Sequence, residues 1–547
     1  MSATSQVSFR LKPASLASAL NGWAFYLFCL VGIGAFAGLL LAPKFLLPAE
    51  DAVILFQFSR NLAHTGAITF VAYGPHTEGA TDFAWMVILS LAIKLGIEPF
   101  WFVAVANVVS MAVLAGVLLH LAGQRVKPLP LLFVVGAFTL TAQYFAALVG
   151  FSSLPFACLL ALLVLAYVRR SDTALPAMAL VFCLFRPDGV IFAIPLLLSA
   201  LIVNPVGRLP RLALDLLLFA LPGLCYFLWR WHYFGEFLPL PFLVKADAQR
   251  VAHLFVFESL KAGVHYLLFS GLLLAYALRR HMRERDNWPL LLCLILLPNV
   301  FYFAMRLDQD IGDRFFVYMP VGTAILLALN WRHVQSKASL LWVGLALWAV
   351  FILGPFRYQE GILERYQHDN RVAIAKDLGA LPRGTLIATE AGILPYYSQW
   401  NAYDAWGLNT AEFAKRLFQP SDVDKLRPDL MLVYTGGDSA CFPQRGWHTP
   451  YQARTWEDLT RNMVVGADAA SFDLWLVPFG SSSWRARHAL SAHEGDQECW
   501  FLRTDSPLYA RIKDVLGRHH GIPESEYKAL GYLRDQGTNG PRWTKRP

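Results

Sequence analysis

Two adjacent carboxylates, Glu50 and Asp51, stand just past the first apolar run of the chain, 21–41. At a membrane surface such a pair repels itself and loses hydration, so it calls for a compensating cation, a metal ion or a chemical task. One carboxylate could take a proton from a hydroxyl, or the pair could hold a divalent cation against a phosphate. The same residues would equally suit the solvated start of a helix, where acidic side chains favour the dipole. A second candidate is Arg186-Pro187-Asp188-Gly189, between two short apolar runs. Ionisable residues near membrane depth are rare and usually functional. Arg186 could clamp a phosphate bidentately while Asp188 orients it, or the two could form a local salt bridge in a turn. A third is the stretch from Arg306 to Arg314, with Asp308, Asp310 and Asp313 between the two guanidiniums. It could contact a sugar phosphate or simply balance its own charges. Lys245 and Arg230 flank a polar loop, 233–262, and could steer a lipid phosphate. His64, His76, His232 and His265 show no metal-ligand spacing.

The elements that must position these residues are apolar. Of 547 residues 56% are hydrophobic and only 16% charged, whereas soluble chains carry roughly a quarter charged residues. Candidate membrane segments are 21–42, 82–97, 99–122, 129–149, 152–168, 174–186, 188–203, 211–232, 263–278, 289–305, 316–331 and 339–356, several of them short against the ~20 residues of a full crossing. The first is too long for a signal-peptide core and reads as a retained helix. The net charge of +8 is not a nucleic-acid footprint. It gathers in short clusters between apolar runs: Arg169-Arg170, Arg208 with Arg211, Arg279-Arg280 with Arg283 and Arg285, and Arg332 with Lys337. By the positive-inside rule these clusters are cytoplasmic. Loops 43–81, 233–262 and 306–315 then lie outside, with everything after 357. An inside N-terminus and an outside C-terminal part require an odd number of crossings, roughly eleven, so 82–97 crosses incompletely or as part of a broken pair.

Within the first outer loop, 43–81, residues 52–63 have apolar side chains at helical spacing, as in a helix lying along the interface. After 357 the composition changes. Residues 386–389, 430–434 and 472–477 read as strands, and 365–379, 409–417 and 507–517 as helices. The expected architecture is an all-α polytopic membrane domain, 1–356, followed by an extracytoplasmic α/β domain, 357–547. Cys441 and Cys499 fall in the latter and could pair there. The other cysteines lie inside apolar runs.

Several stretches resemble a known family. Glu50-Asp51 with the helical run to Ala63 resembles the acidic-pair opening of GT-C-type membrane glycosyltransferases. Thr77-Glu78-Gly79-Ala80-Thr81-Asp82-Phe83-Ala84-Trp85 is similar to their EGxT-x-F-x-W signature. Arg186-Pro187-Asp188-Gly189 resembles an R-P-E/D-G element, and Asp313-Arg314-Phe315 a turn before an apolar helix. Residues 390–397 and 404–409 are similar to a later run of the bacterial branch that includes the terminal arabinofuranosyltransferases of mycobacterial cell-wall assembly. The resemblance implies an inverting transfer from a polyprenyl-phosphate sugar to a cell-envelope glycan, lipid or protein, outside the bacterial cytoplasmic membrane. It further implies Glu50 or Asp51 as catalytic base, the other binding acceptor or metal. Arg60, Glu78 and Asp82 would shape the sugar pocket, and Arg186 and Arg314 would hold the donor phosphate. Asp188, Lys245 and Asp313 are further candidate substrate-binding residues on their own charge and position. Two departures stand out: Glu50 where Asp is usual, and Ala80 where Tyr is common. An envelope polysaccharide polymerase or ligase would share compartment and donor, and a lipid-linked sugar transporter would share the polytopic fold. The carboxylates, however, cluster in loops rather than inside helices.

Overall fold

The computed structural model describes residues 32–123, 142–203, 208–246, 264, 288–304, 311–330, 370–434, 453–478, 497–529, 532–535 and 542–545. The expected segments 263–278, apart from residue 264, and 339–356, the candidate residues Arg306, Asp308 and Asp310, and Cys441 lie outside these residues.

Among the described residues, three helices are long and apolar enough to cross a membrane: Pro99–Ala122, Leu209–Phe234 and Ile311–Leu329. Shorter apolar helices accompany them at Gly32–Phe45, Phe83–Lys94, Ser153–Val168, Ala174–Phe185, Pro187–Ile202 and Pro289–Phe303. Position in the bundle separates the long ones. The apolar window of Ile311–Leu329 is 78% buried, whereas that of Leu209–Phe234 is 6% buried. Leu216, Leu217, Leu221, Leu224 and Leu228 of the latter point away from the protein, as a helix facing lipid requires. At the centre, Phe156 stacks on Phe182 at 4.5 Å, and Phe192 and Tyr318 close the cluster. Apolar side chains at successive helical turns put these rings on facing surfaces.

The C-terminal domain is built on a six-stranded mixed sheet in the order β2-β1-β3-β5-β4-β6. The strands are β1 (Thr385–Ala388), β2 (Asn401–Asp404), β3 (Leu430–Val433), β4 (Phe472–Pro478), β5 (Gln497–Arg503) and β6 (Ile522–Pro523). β1 pairs in parallel with both β2 and β3, and the β4–β5 side is antiparallel. Helices Asn370–Gly379, Ala453–Ala469 and Tyr509–Arg518 belong to the same domain. Cys499 on β5 is disulfide-bonded.

The helix expected to lie along the interface is placed differently. Glu50–Thr65 buries Ala52, Val53, Ile54, Phe56 and Phe58. Val53 and Phe56 pack into the membrane core, while Ile54 and Phe58 join a second core with Leu394 and Trp400 of the C-terminal domain. Apolar side chains spread round more than one face mark a helix wedged between two bodies rather than one floating on lipid.

Candidate functional site

The Glu50–Thr65 helix begins with the acidic pair, and successive residues of a helix point about 100° apart. The two carboxylates therefore have different surroundings. Glu50 turns to the C-terminal domain: its Oε1 accepts from the backbone N–H of Gly392 (2.8 Å) and Ile393 (3.0 Å), and its Oε2 from Arg371 (3.3 Å). Asp51 turns the other way and pairs with Arg314 at 2.6 Å. With Glu50 engaged by backbone and Arg371 and Asp51 by Arg314, the pair does not present the joint face that a divalent cation needs.

Asp51 opens on a cavity of about 170 Å³, lined also by Asp82, Arg186, Lys245 and Arg314. Each cation reaches it from a different element. Arg314 follows Gly312 and Asp313, both in the left-handed region (φ 65° and 48°), and this sharp turn brings its side chain inward over the ring of Phe151. Its Nη1 is buried with no hydrogen-bond partner among the described residues. Arg186 ends the Ala174–Phe185 helix and is held as a fork: Nε and Nη2 donate to the two carboxylate oxygens of Asp188 at 3.1 and 2.7 Å. Asp188 in turn accepts from the hydroxyl of Tyr302, and Arg186 lies over Phe156 and Phe315. Lys245 comes from the short helix Leu240–Ala246, whose Leu240 and Val244 pack into the C-terminal domain. Asp82 accepts from Ser152 Oγ at 3.1 Å. A cavity with guanidiniums on aromatic walls and a carboxylate at its edge suits a phosphate group beside a hydroxyl that the carboxylate can deprotonate.

Other expected residues surround this cavity without lining it. Glu78 forms a buried ion pair with Arg230, which also donates to the carbonyl of Phe237, so the loop before Phe83 is pinned to the end of Leu209–Phe234. Burial raises the Glu78 carboxyl above its ordinary range, and Arg230 pulls it back down. Arg60 donates to the carbonyl of Tyr396 and lies over its ring, joining the two domains. Asp188 acts through Arg186, and Asp313 through the turn it makes.

The C-terminal domain supplies part of the wall. Leu408 lines the cavity, on a turn organised by Asp404, whose carboxylate accepts from the N–H groups of Trp406, Gly407 and Asn409 and from the Asn409 side chain. Gly79 of the first loop presses against this turn. A Cβ there would sit 2.0 Å from Asn409 Oδ1, so only glycine allows the contact. Sequence reasoning did not single out Ser152, Tyr302 or Arg371, and met Asp404 only as the first residue of the run 404–409. Tyr302 is hidden in an apolar run, and the other three act on partners distant in sequence or on their own loop.

A family model described as a domain of unknown function (DUF8728) matches residues 361–480. No curated protein matches in sequence. Among solved structures, ArnT from Cupriavidus metallidurans bound to undecaprenyl phosphate is similar at 14% identity and a TM-score of 0.54, over 89% of this chain and 99% of that one. The apo state of the same protein is 15% identical with a TM-score of 0.53, over the same 89% and 99%. The apo oligosaccharyltransferase of Archaeoglobus fulgidus is 10% identical with a TM-score of 0.46, over 84% of this chain and 75% of that one. The chain thus shares a fold with ArnT over 89% of its length.

Proposed function

We propose that this chain is an inverting membrane glycosyltransferase, moving a sugar from a polyprenyl-phosphate donor to a cell-envelope glycan, lipid or protein. The observation that carries the reading is the meeting of Asp51 with Arg186, Lys245 and Arg314 in one cavity, fed by residues far apart in sequence. The fold shared with ArnT, which is bound to undecaprenyl phosphate in one of its structures, supports a lipid-phosphate ligand. The donor phosphate takes the place beside Arg314 Nη1 and Arg186. As it competes for Arg314, the Asp51 carboxylate is released to accept the proton of the acceptor hydroxyl. The acceptor oxygen bonds to the anomeric carbon from the face opposite the phosphate. The carbon–oxygen bond to phosphate breaks with its electron pair going to the polyprenyl phosphate, whose charge the guanidiniums stabilise.

This reading places the cavity and the C-terminal domain on the outer side of the bacterial cytoplasmic membrane, after roughly eleven crossings. The disulfide at Cys499 supports an oxidising compartment for that domain. The test is sugar transfer by purified protein in lipid, supplied with synthetic polyprenyl-phosphate sugars of several identities. Wild type transfers at least one of them, and Asp51→Asn lowers kcat by about 10³-fold, within the range for loss of a general base. Undiminished transfer by the variant removes Asp51 from the chemistry.

A further inference from the structure

Arg371 is the most enclosed guanidinium of the described C-terminal domain, with 2% of its side chain exposed. It stands on the Asn370–Gly379 helix among three carboxylates: Glu498 at 2.6 Å, Glu50 at 3.3 Å and Glu390 at 3.7 Å. Glu498 belongs to β5 and is equally buried, and Arg371 also lies over the ring of Tyr434. The guanidinium is thus fixed to the sheet, and one of its arms reaches out of the domain to Glu50. Around the same residue, Gly392 and Ile393 donate their N–H groups to Glu50, and the Gly392 backbone packs so closely on it that a Cβ there would lie 2.1 Å from the Glu50 carbonyl oxygen. On the other flank Ala49 N–H donates to the carbonyl of Val149, in the membrane part.

We propose that Arg371 is a positioning residue for Asp51, acting through Glu50. A helix held at one residue has its rotation set, and the neighbouring residue then points in a fixed direction about 100° away. Clamping Glu50 from the sheet aims Asp51 into the cavity and towards Arg314. The acidic pair therefore divides its work: the first carboxylate registers the helix against the C-terminal domain, and the second faces the ligand. The inference rests on the proposed transfer reaction for its kinetic consequence. The clamp itself is a matter of geometry.

The experiment is a double-mutant cycle of Glu50→Gln and Arg371→Met, with Arg371→Lys as the variant that keeps the buried charge. Each protein is purified in lipid and measured for kcat, for donor KM and for amide hydrogen exchange over residues 50–56. Expected are exchange about tenfold faster in that segment in both single variants and kcat about tenfold lower, the size of effect that a small misplacement produces, with donor KM within about twofold. Arg371→Lys recovers part of kcat. The double variant is no worse than the poorer single, because both substitutions break one connection. Additive losses, a change confined to KM, or unaltered exchange at 50–56 overturns the proposal. If wild type transfers no sugar, the glycosyltransferase reading fails, and the exchange result alone decides the clamp. If Arg371→Met does not fold, Glu50→Gln and Arg371→Lys carry the same comparison.

Discussion

Arg314 shows how much one side chain is asked to do. Its Nη2 holds Asp51, its Nη1 is buried with no hydrogen-bond partner among the described residues, and its plane rests on Phe151. A lysine would keep the charge but lose both the fork and the stacking face. Arg314→Lys is therefore expected to raise donor KM by about tenfold, the discrimination that one charge-assisted hydrogen bond supplies. Titrating a non-hydrolysable polyprenyl phosphonate against both proteins measures it, and equal affinities would remove Arg314 from the phosphate site. At this scale the sequence was informative about residue types and poor at telling neighbours apart. Asp51, Arg186 and Arg314 were legible because charge in an apolar chain is conspicuous. That Glu50 and Asp51 face different ways was not, since the partner that captures Glu50 lies 321 positions later.

Among the elements, the turn made by Asp404 has a pH dependence built in. Burial pushes this carboxyl up to about 6, although four N–H donors pull the other way. A folded-state value above the unfolded one, 3.8, means that the native protein binds this proton more tightly. Its contribution is then fully present below pH 3.8 and is lost as pH rises through 6, by an amount on the order of 3 kcal/mol. Melting wild type beside Asp404→Asn at pH 4.5 and 7.0 should show the wild type's relative stability falling towards pH 7. A difference that does not change with pH would rule out this titration. Elements with continuous apolar runs, β1, β3 and β4, were readable from sequence. The edge strand β2, half exposed, and β5, which carries Glu498 into the interior, break that pattern and were missed. The Glu50–Thr65 helix was recognised as a helix but given the wrong surroundings. Its hydrophobic periodicity reports that faces are buried and cannot say whether lipid or a distant sheet covers them.

For the whole molecule, the two ends of the bundle differ in chemistry. Arg169 and Arg170 cap the Ser153–Val168 helix at one end, and the cavity lies among loops joined to the C-terminal domain. A cysteine placed at Lys425, an exposed position of that domain, should react with a membrane-impermeant maleimide on intact cells, and one placed at Arg170 should not. Labelling in the reverse order would invert the proposed topology.

The contact of Leu408 and Asn409 with the first loop has a bearing on modularity. Because a wall of the pocket is borrowed from the sheet domain, the membrane bundle alone is an open bowl, and grafting on another C-terminal domain would change what the bowl admits. Under the proposed reaction, selectivity for the transferred sugar would then depend in part on the sheet domain, with Gly79 at the point where the two meet.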